Sequence, residues 1–242
     1  IGGTPINGIV SNANPYRHEI EIWLSGETTQ NNNSQLHQNF SDSNTIINDK
    51  GFIIEAEDVI YVSVRVRQAG DGVTGAFQAG ALVSKGLAAL GTTFRVGGFV
   101  SEDSVSNYLT FASVMATENN TTITIENPIT GITPVTIILQ ESESYIYSIG
   151  NFTGLPSSYT GFTGDPNNLI GALITSDKPI VVNSGSATGS FYISPGRDYG
   201  IDQIVDFSKV GNKYIFVRGD GDNGWENVLI IAHEDNTTIA IN

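Results

Sequence analysis

The residues best equipped for chemistry lie in one glycine-rich stretch, Gly219-Asp220-Gly221-Asp222-Asn223-Gly224, with Glu226 just beyond it. Asp220, Asp222, Asn223 and Glu226 put oxygen ligands on a tight backbone, the donor type preferred by hard cations such as calcium. The spacing is not that of an EF-hand, because the third acidic position and the distant glutamate are missing. A solvated acidic turn accounts for the same residues, so calcium is an expectation with a plain alternative. The letters also spell GxGxxG. A dinucleotide fingerprint, however, needs a strand before it and a helix after it, so that a helix N-terminus meets pyrophosphate. Here strand-like Tyr214 to Val217 precedes and strand-like Asn227 to Ile231 follows. Two aspartates would also repel a phosphate. This is a hairpin loop, and no cofactor is required.

Paired carboxylates occur at Glu19/Glu21, Glu55/Glu57 and Glu141/Glu143. Residues two apart on a strand face the same way. A glycosidase needs two carboxylates roughly 5–10 Å apart in a cleft, a distance such pairs meet trivially. Each pair also sits beside a turn, where acidic side chains are simply hydrated. A carbohydrate-active hydrolase therefore ranks last among the functional readings. His18 and His37 have no acidic or nucleophilic partner at recognisable spacing, and His233 reads as an ordinary residue near a strand end. No HExxH, GxSxG or P-loop pattern is present. The chain has no cysteine, which excludes thiol nucleophiles, zinc–thiolate sites and disulfides together. The expectation is a protein that is not an enzyme.

Aromatic residues suit binding better. Tyr159, Phe162, Phe191, Tyr192 and Tyr199 fall in long loops, where their rings would stack on a sugar or anchor a partner. Folding of the same rings over the core is the equal alternative. Asn-x-Ser/Thr sequons begin at Asn32, Asn39, Asn119, Asn120, Asn151 and Asn236. Three of them fall in tight turns, and turn geometry explains those better than glycosylation.

The elements that must position these residues are strands. Ile60 to Val66 and Thr122 to Ile125 alternate with period two. The denser Val135 to Leu139 and Val228 to Ile231 predict central strands covered on both faces. Glu118-Asn119-Asn120-Thr121 and Glu234-Asp235-Asn236-Thr237 predict tight hairpin connections, because Asn and Asp tolerate left-handed backbone angles. Only Ala79 to Leu90 and Ile201 to Val210 have helical spacing, each ended by a glycine, Gly91 or Gly211.

A unit of this pattern occurs twice. Ala116 to Ile125 returns as Ala232 to Ile241, an offset of 116. Gly51-Phe52-Ile53-Ile54 returns as Gly171-Ala172-Leu173-Ile174, and Leu90 to Phe94 as Val210 to Tyr214, both at 120. About eight strands in the second unit fit a sandwich. The expected fold is all-β: two tandem β-sandwich-like modules, residues 1–125 and 126–242. The alternative is a β-propeller-like arrangement of four-stranded blades.

The 242 residues carry 25 acidic and 11 basic side chains, a net charge of −14. Such a surface repels phosphate backbones and anionic lipid, so nucleic-acid binding is not expected. Membrane insertion is not expected either, because no apolar run approaches the ~18 residues of a membrane helix. Ile1 is not a start residue, and the chain reads as a piece of something longer. A β-rich chain without cysteine points to a bacterial surface protein or a cytosolic one.

The recurring unit resembles the repeated unit of the IgGFc-binding protein N-terminal family, found in animal mucus proteins and large bacterial surface proteins. The resemblance rests on Ala116 to Ile125 and Ala232 to Ile241, then Val135 to Leu139 with Glu143-Ser144-Tyr145. It continues through Ile174 to Val182 and Gly211-Asn212-Lys213-Tyr214-Ile215. The first unit follows the pattern more loosely, lacking Lys-Pro after Asp58 and having Phe94 in the aromatic position. The resemblance implies an extracellular, non-catalytic module of adhesion-type proteins, and the missing cysteine fits the bacterial branch. No residue set for antibody binding carries over. The expected partner is a protein or glycan on a surface. A self-assembling fibre or matrix, built by pairing of exposed sheet edges, is the alternative.

Overall fold

The computed structural model describes residues 6–18, 44–48, 51–68, 78–99, 109–150, 165–189, 198–217, 219 and 228–241. Its strands are β1 (Ile46–Ile47), β2 (Ser63–Gln68), β3 (Gln78–Val83), β4 (Gly91–Arg95) and β5 (Leu109–Ala116). They continue with β6 (Thr121–Asn127), β7 (Ile132–Leu139), β8 (Ser144–Gly150), β9 (Leu173–Gly189) and β10 (Asp198–Ile204). The all-β class holds. Among the described residues the only helical pieces are 3-10 turns at Gly86–Ala89, Pro166–Leu169 and Phe207–Lys209.

β9 is the spine of the main sheet. In its first half, Leu173, Ile174 and Thr175 pair with Arg95, Phe94 and Thr93 of β4 on one edge. The same residues pair with Glu126, Ile125 and Thr124 of β6 on the other. In its second half, Val182 to Ser186 lies between β10 and β5. The chain bends between the halves at Asp177-Lys178-Pro179, where Pro179 has no N–H to give a ladder. β7 extends the sheet beyond β6, β8 extends it beyond β5, and β1 adds a short edge to β8. The eight strands thus form one curled sheet, a half-barrel. Its inner face carries the core. Phe94, Val96, Ala112, Val114, Ile123, Ile125, Ile174, Ile180 and Val182 are all buried there. In β6 the period-two pattern is visible directly, with Thr121, Ile123, Ile125 and Asn127 buried and the residues between them half-buried.

Three expectations are corrected. Among the described residues β7 is an edge strand and not a doubly covered one, with Ile138 exposed, and residues 228–231 are in no ladder, with Val228, Leu229 and Ile230 exposed. The two stretches of helical spacing are each a strand followed by a 3-10 turn, β3 with Gly86–Ala89 and β10 with Phe207–Lys209. Short apolar runs satisfy both periods, and antiparallel pairing to β2 and β9 decides for strand. The Glu118–Thr121 turn does have a left-handed residue, Asn120 at φ 56°. It does not close a hairpin. β5 and β6 lie end to end along β9, and the turn is the corner that follows the bend of β9. Thr117 Oγ1 donates to Pro179 O at 2.6 Å, Thr122 N–H donates to the Asp177 carboxylate at 2.8 Å, and Lys178 Nζ donates to Asn119 O. Residues 125 and 126, where the sequence pattern divides the chain, are consecutive within β6.

The repetition has a geometric counterpart. β2 and β3 pair in the register Ser63↔Val83 and Val66↔Gly80. β9 and β10 pair as Asn183↔Gln203 and Ser186↔Gly200, each residue 120 later. Asn236 has φ 58°, matching Asn120, and Thr237 Oγ1 donates to Glu234 O as Thr121 Oγ1 does to Glu118 O. The two equivalent hairpins lie against each other. Ser84 Oγ donates to Gln203 Oε1 at 3.0 Å, Lys85 pairs with Asp202, and Gly80 lies so close to β10 that a Cβ there would be 2.3 Å from Tyr199 O.

Candidate functional site

A cleft of about 170 Å³ opens where residues 231–235 pass the end of β4 and the turn between β6 and β7. Arg95, Asn127, Thr130, Gly171, His233 and the acidic Asp235 give it its polar lining. Arg95 is the last residue of β4, and its position is set by the pairing with Leu173. Its Nη1 donates to Gly171 O at 3.0 Å and its Nη2 to His233 O at 3.1 Å. The guanidinium so ties the second Asn-turn segment to the start of β9. Its buried Nε has no hydrogen-bond partner among the described residues. His233 stacks on Phe207, with ring centroids 3.9 Å apart and planes at 26°, and its buried Nδ1 likewise has none among them. Asn127 Nδ2 donates to Asn168 O and Ile170 O, and Thr130 Oγ1 to Asn168 O, which fixes the floor.

Chemically, the cleft offers one cationic N–H and one imidazole nitrogen that donates or accepts with its tautomer. With the Asp235 carboxylate in the same lining, that suits a carbonyl or another neutral hydrogen-bonding group. Its polar groups are tied to backbone carbonyls, and no hydroxyl in it is paired with a base as nucleophilic catalysis would need. Sequence reasoning set His233 aside and did not single out Arg95. One signal was present: at the repeat offsets His233 replaces Thr117 and Ile215 replaces Arg95, so the copies differ in chemistry where their surroundings match.

The expected cation ligands Asp220, Asp222, Asn223 and Glu226 lie outside the described residues. So do the loop aromatics Tyr159, Phe162, Phe191 and Tyr192, together with Glu19, Glu21 and His37. Tyr199 is described. It sits in β10, stacked on Phe111 with centroids 5.9 Å apart, and burial pushes its hydroxyl pKa up to about 12. Glu141 and Glu143 lie in the β7–β8 turn, where Glu143 accepts from Gln140 N–H at 2.7 Å. Glu55 and Glu57 are on an exposed extended segment. His18 stands between Tyr16 and Phe52. Among the described residues no three His, Asp or Glu side chains converge to hold a metal, and no helix is long and apolar enough to cross a membrane.

No curated protein and no solved structure matches the chain. A family model described as IgGFc binding protein matches residues 80–242, from Gly80 in β3 through the whole second unit. That span contains β4 to β10 and every segment on which the sequence resemblance rests. The chain belongs to the IgGFc-binding protein family.

Proposed function

We propose that this chain is a non-catalytic, extracellular binding module of a larger bacterial surface protein, acting in adhesion to a protein or glycan on a surface. Membership of a family described by antibody-Fc binding is the observation that carries the reading. The acidic, cysteine-free composition supports a secreted bacterial setting. A stiff curled sheet with long connections is also the architecture on which binding loops are commonly displayed. The Arg95–His233 cleft adds a place for a carbonyl or other neutral polar group of the partner.

The test is direct. Immobilised full chain is probed with IgG Fc, with arrayed glycans and with host and bacterial surface extracts. Saturable retention of at least one class is expected. Absence of retention from every class, or turnover of a glycan, would sink the proposal.

A further inference from the structure

The internal repeat pairs the buried core positions in and beside β4, β5 and β6 with counterparts late in the second unit. Phe94, Val96, Ala112, Val114, Ile123 and Ile125 are at most 1% exposed. Their counterparts, Tyr214 and Phe216 at an offset of 120 and Val228, Ile230, Ile239 and Ile241 at 116, are between 49% and 78% exposed. The first set is buried because β4, β5 and β6 all pair with β9. Residues 211–217 and 228–241, the counterparts of β4 to β6, belong to no ladder among the described residues. Their missing element is a strand equivalent to β9.

The sequence contains one. Gly51 to Val66 is the counterpart of Gly171 to Ser186. Its C-terminal part, in β2, already pairs with β3 as the second half of β9 pairs with β10. Its N-terminal part, residues 51–61, is in no ladder among the described residues, and Ile54 and Ile60 are exposed there, whereas their counterparts Ile174 and Ile180 are fully buried. The molecule thus carries an unfilled ladder and an unused strand of the matching pattern, and the two do not pair with each other.

We propose that these surfaces meet between two copies of the chain. Residues 51–61 of one copy enter the ladder of 211–217, 228–232 and 237–241 of the other, as β9 does within one molecule. Strand donation of this kind needs no new fold, because the acceptor reuses a pairing already realised once. One feature of the donor differs. At the bend, β9 has Asp177 and Lys178, and Lys178 donates to Asn119 O. The donor has Glu57 and Asp58 instead, facing the turn of Glu234 and Asp235. Like charges meet there, so association strengthens as salt screens them. The inference stands on the repeat and does not depend on the binding function.

Sedimentation of the full chain over about 1 to 500 µM tests it. Concentration-dependent dimers or larger species are expected, more abundant at high salt. Ile230→Asp and Ile54→Asp should each abolish them while leaving the melting curve of the monomer unchanged, since both side chains are exposed in the single molecule. A peptide spanning residues 51–65 should compete. A monomer at every concentration would overturn the proposal, as would association indifferent to both substitutions. Amide protection of 211–217 and 228–241 that is the same at all concentrations would instead mean that the chain's own donor closes the ladder, and would overturn it too.

Discussion

Asp206 fills the space that a side chain at Gly91 would need. A Cβ built on Gly91 would lie 2.1 Å from the Asp206 carboxylate, which accepts from Thr92 N–H at 2.8 Å and Thr93 N–H at 3.0 Å. The other carboxylate oxygen accepts from the backbone and hydroxyl of Ser208. The carboxylate thereby anchors the start of β4 to the 3-10 turn after β10. Gly91 is required by this close approach and not as the end of a helix. Gly91→Ala should destabilise by about 1–3 kcal/mol, the usual cost of overpacking. Asp206→Ala should cost about as much, because it removes the charged acceptor shared by the Thr92, Thr93 and Ser208 N–H groups. Once Asp206 is truncated the space is free, so Gly91→Ala should cost clearly less in that background. Denaturant melts of the four proteins read this coupling, and strict additivity would refute the contact.

Asp206 on the acid side, and Tyr199 with the likewise raised Tyr145 and Tyr147 on the alkaline side, give the stability a pH dependence of opposite sign at the two extremes. Burial works to raise the Asp206 pKa, but the hydrogen bonds from Ser208, Thr93 and Thr92 outweigh it and the net shift is downward. A depressed carboxylate contributes stability that is present above its unfolded pKa, about 3.9, and lost as pH falls through the folded value. Tyr199 is raised by burial to about 12. Its contribution is complete below the unfolded value near 10 and is lost as pH climbs from there to about 12. Melting temperatures should therefore fall on both sides. Asp206→Asn should flatten the acid limb alone and Tyr199→Phe the alkaline limb alone. A Tyr199→Phe protein with the same alkaline limb as the parent would contradict the burial of that hydroxyl.

The acidic loop has its own assay. A calcium ion held by Asp220, Asp222, Asn223 and Glu226 requires a melting temperature that rises with calcium and falls with chelator. At a hundredfold excess over Kd the gain is about 2.7 kcal/mol. Asp220→Asn combined with Asp222→Asn should remove the response. A melting temperature indifferent to calcium would leave the loop as a solvated turn.

Particular residues show where sequence alone suffices. The alternation from Thr121 to Asn127 announces a strand and even its inward face, because side-chain direction along a strand is local. Asn120 announces a left-handed turn for an equally local reason. What that turn connects is decided elsewhere, by the course of β9 and its bend at Pro179, and a local pattern carries no trace of that. Val135 to Leu139 failed in a similar way. Its apolar density suggests two covered faces, but covering depends on what packs above and below the sheet, and Ile138 is left exposed. The cleft was the least legible part. Arg95 and His233 are separated by most of the chain and fit no motif; only their mismatch with the repeat marks them.

That cleft yields the last prediction. Arg95 donates to two backbone carbonyls, Gly171 O and His233 O, with two different nitrogens of its planar guanidinium. A lysine has one nitrogen at the end of a flexible stem and cannot span both. Arg95→Lys should therefore behave nearly like Arg95→Ala, each losing about 1–3 kcal/mol through the stranded carbonyls. His233→Ala removes the stack on Phe207, worth about 0.5–1.5 kcal/mol, but leaves the His233 carbonyl in place for Arg95. His233→Phe should recover most of that loss, since it retains the ring. Thermal melts distinguish the cases, and full rescue by Arg95→Lys would show that charge alone, and not the two-nitrogen geometry, holds residues 231–235 against the sheet.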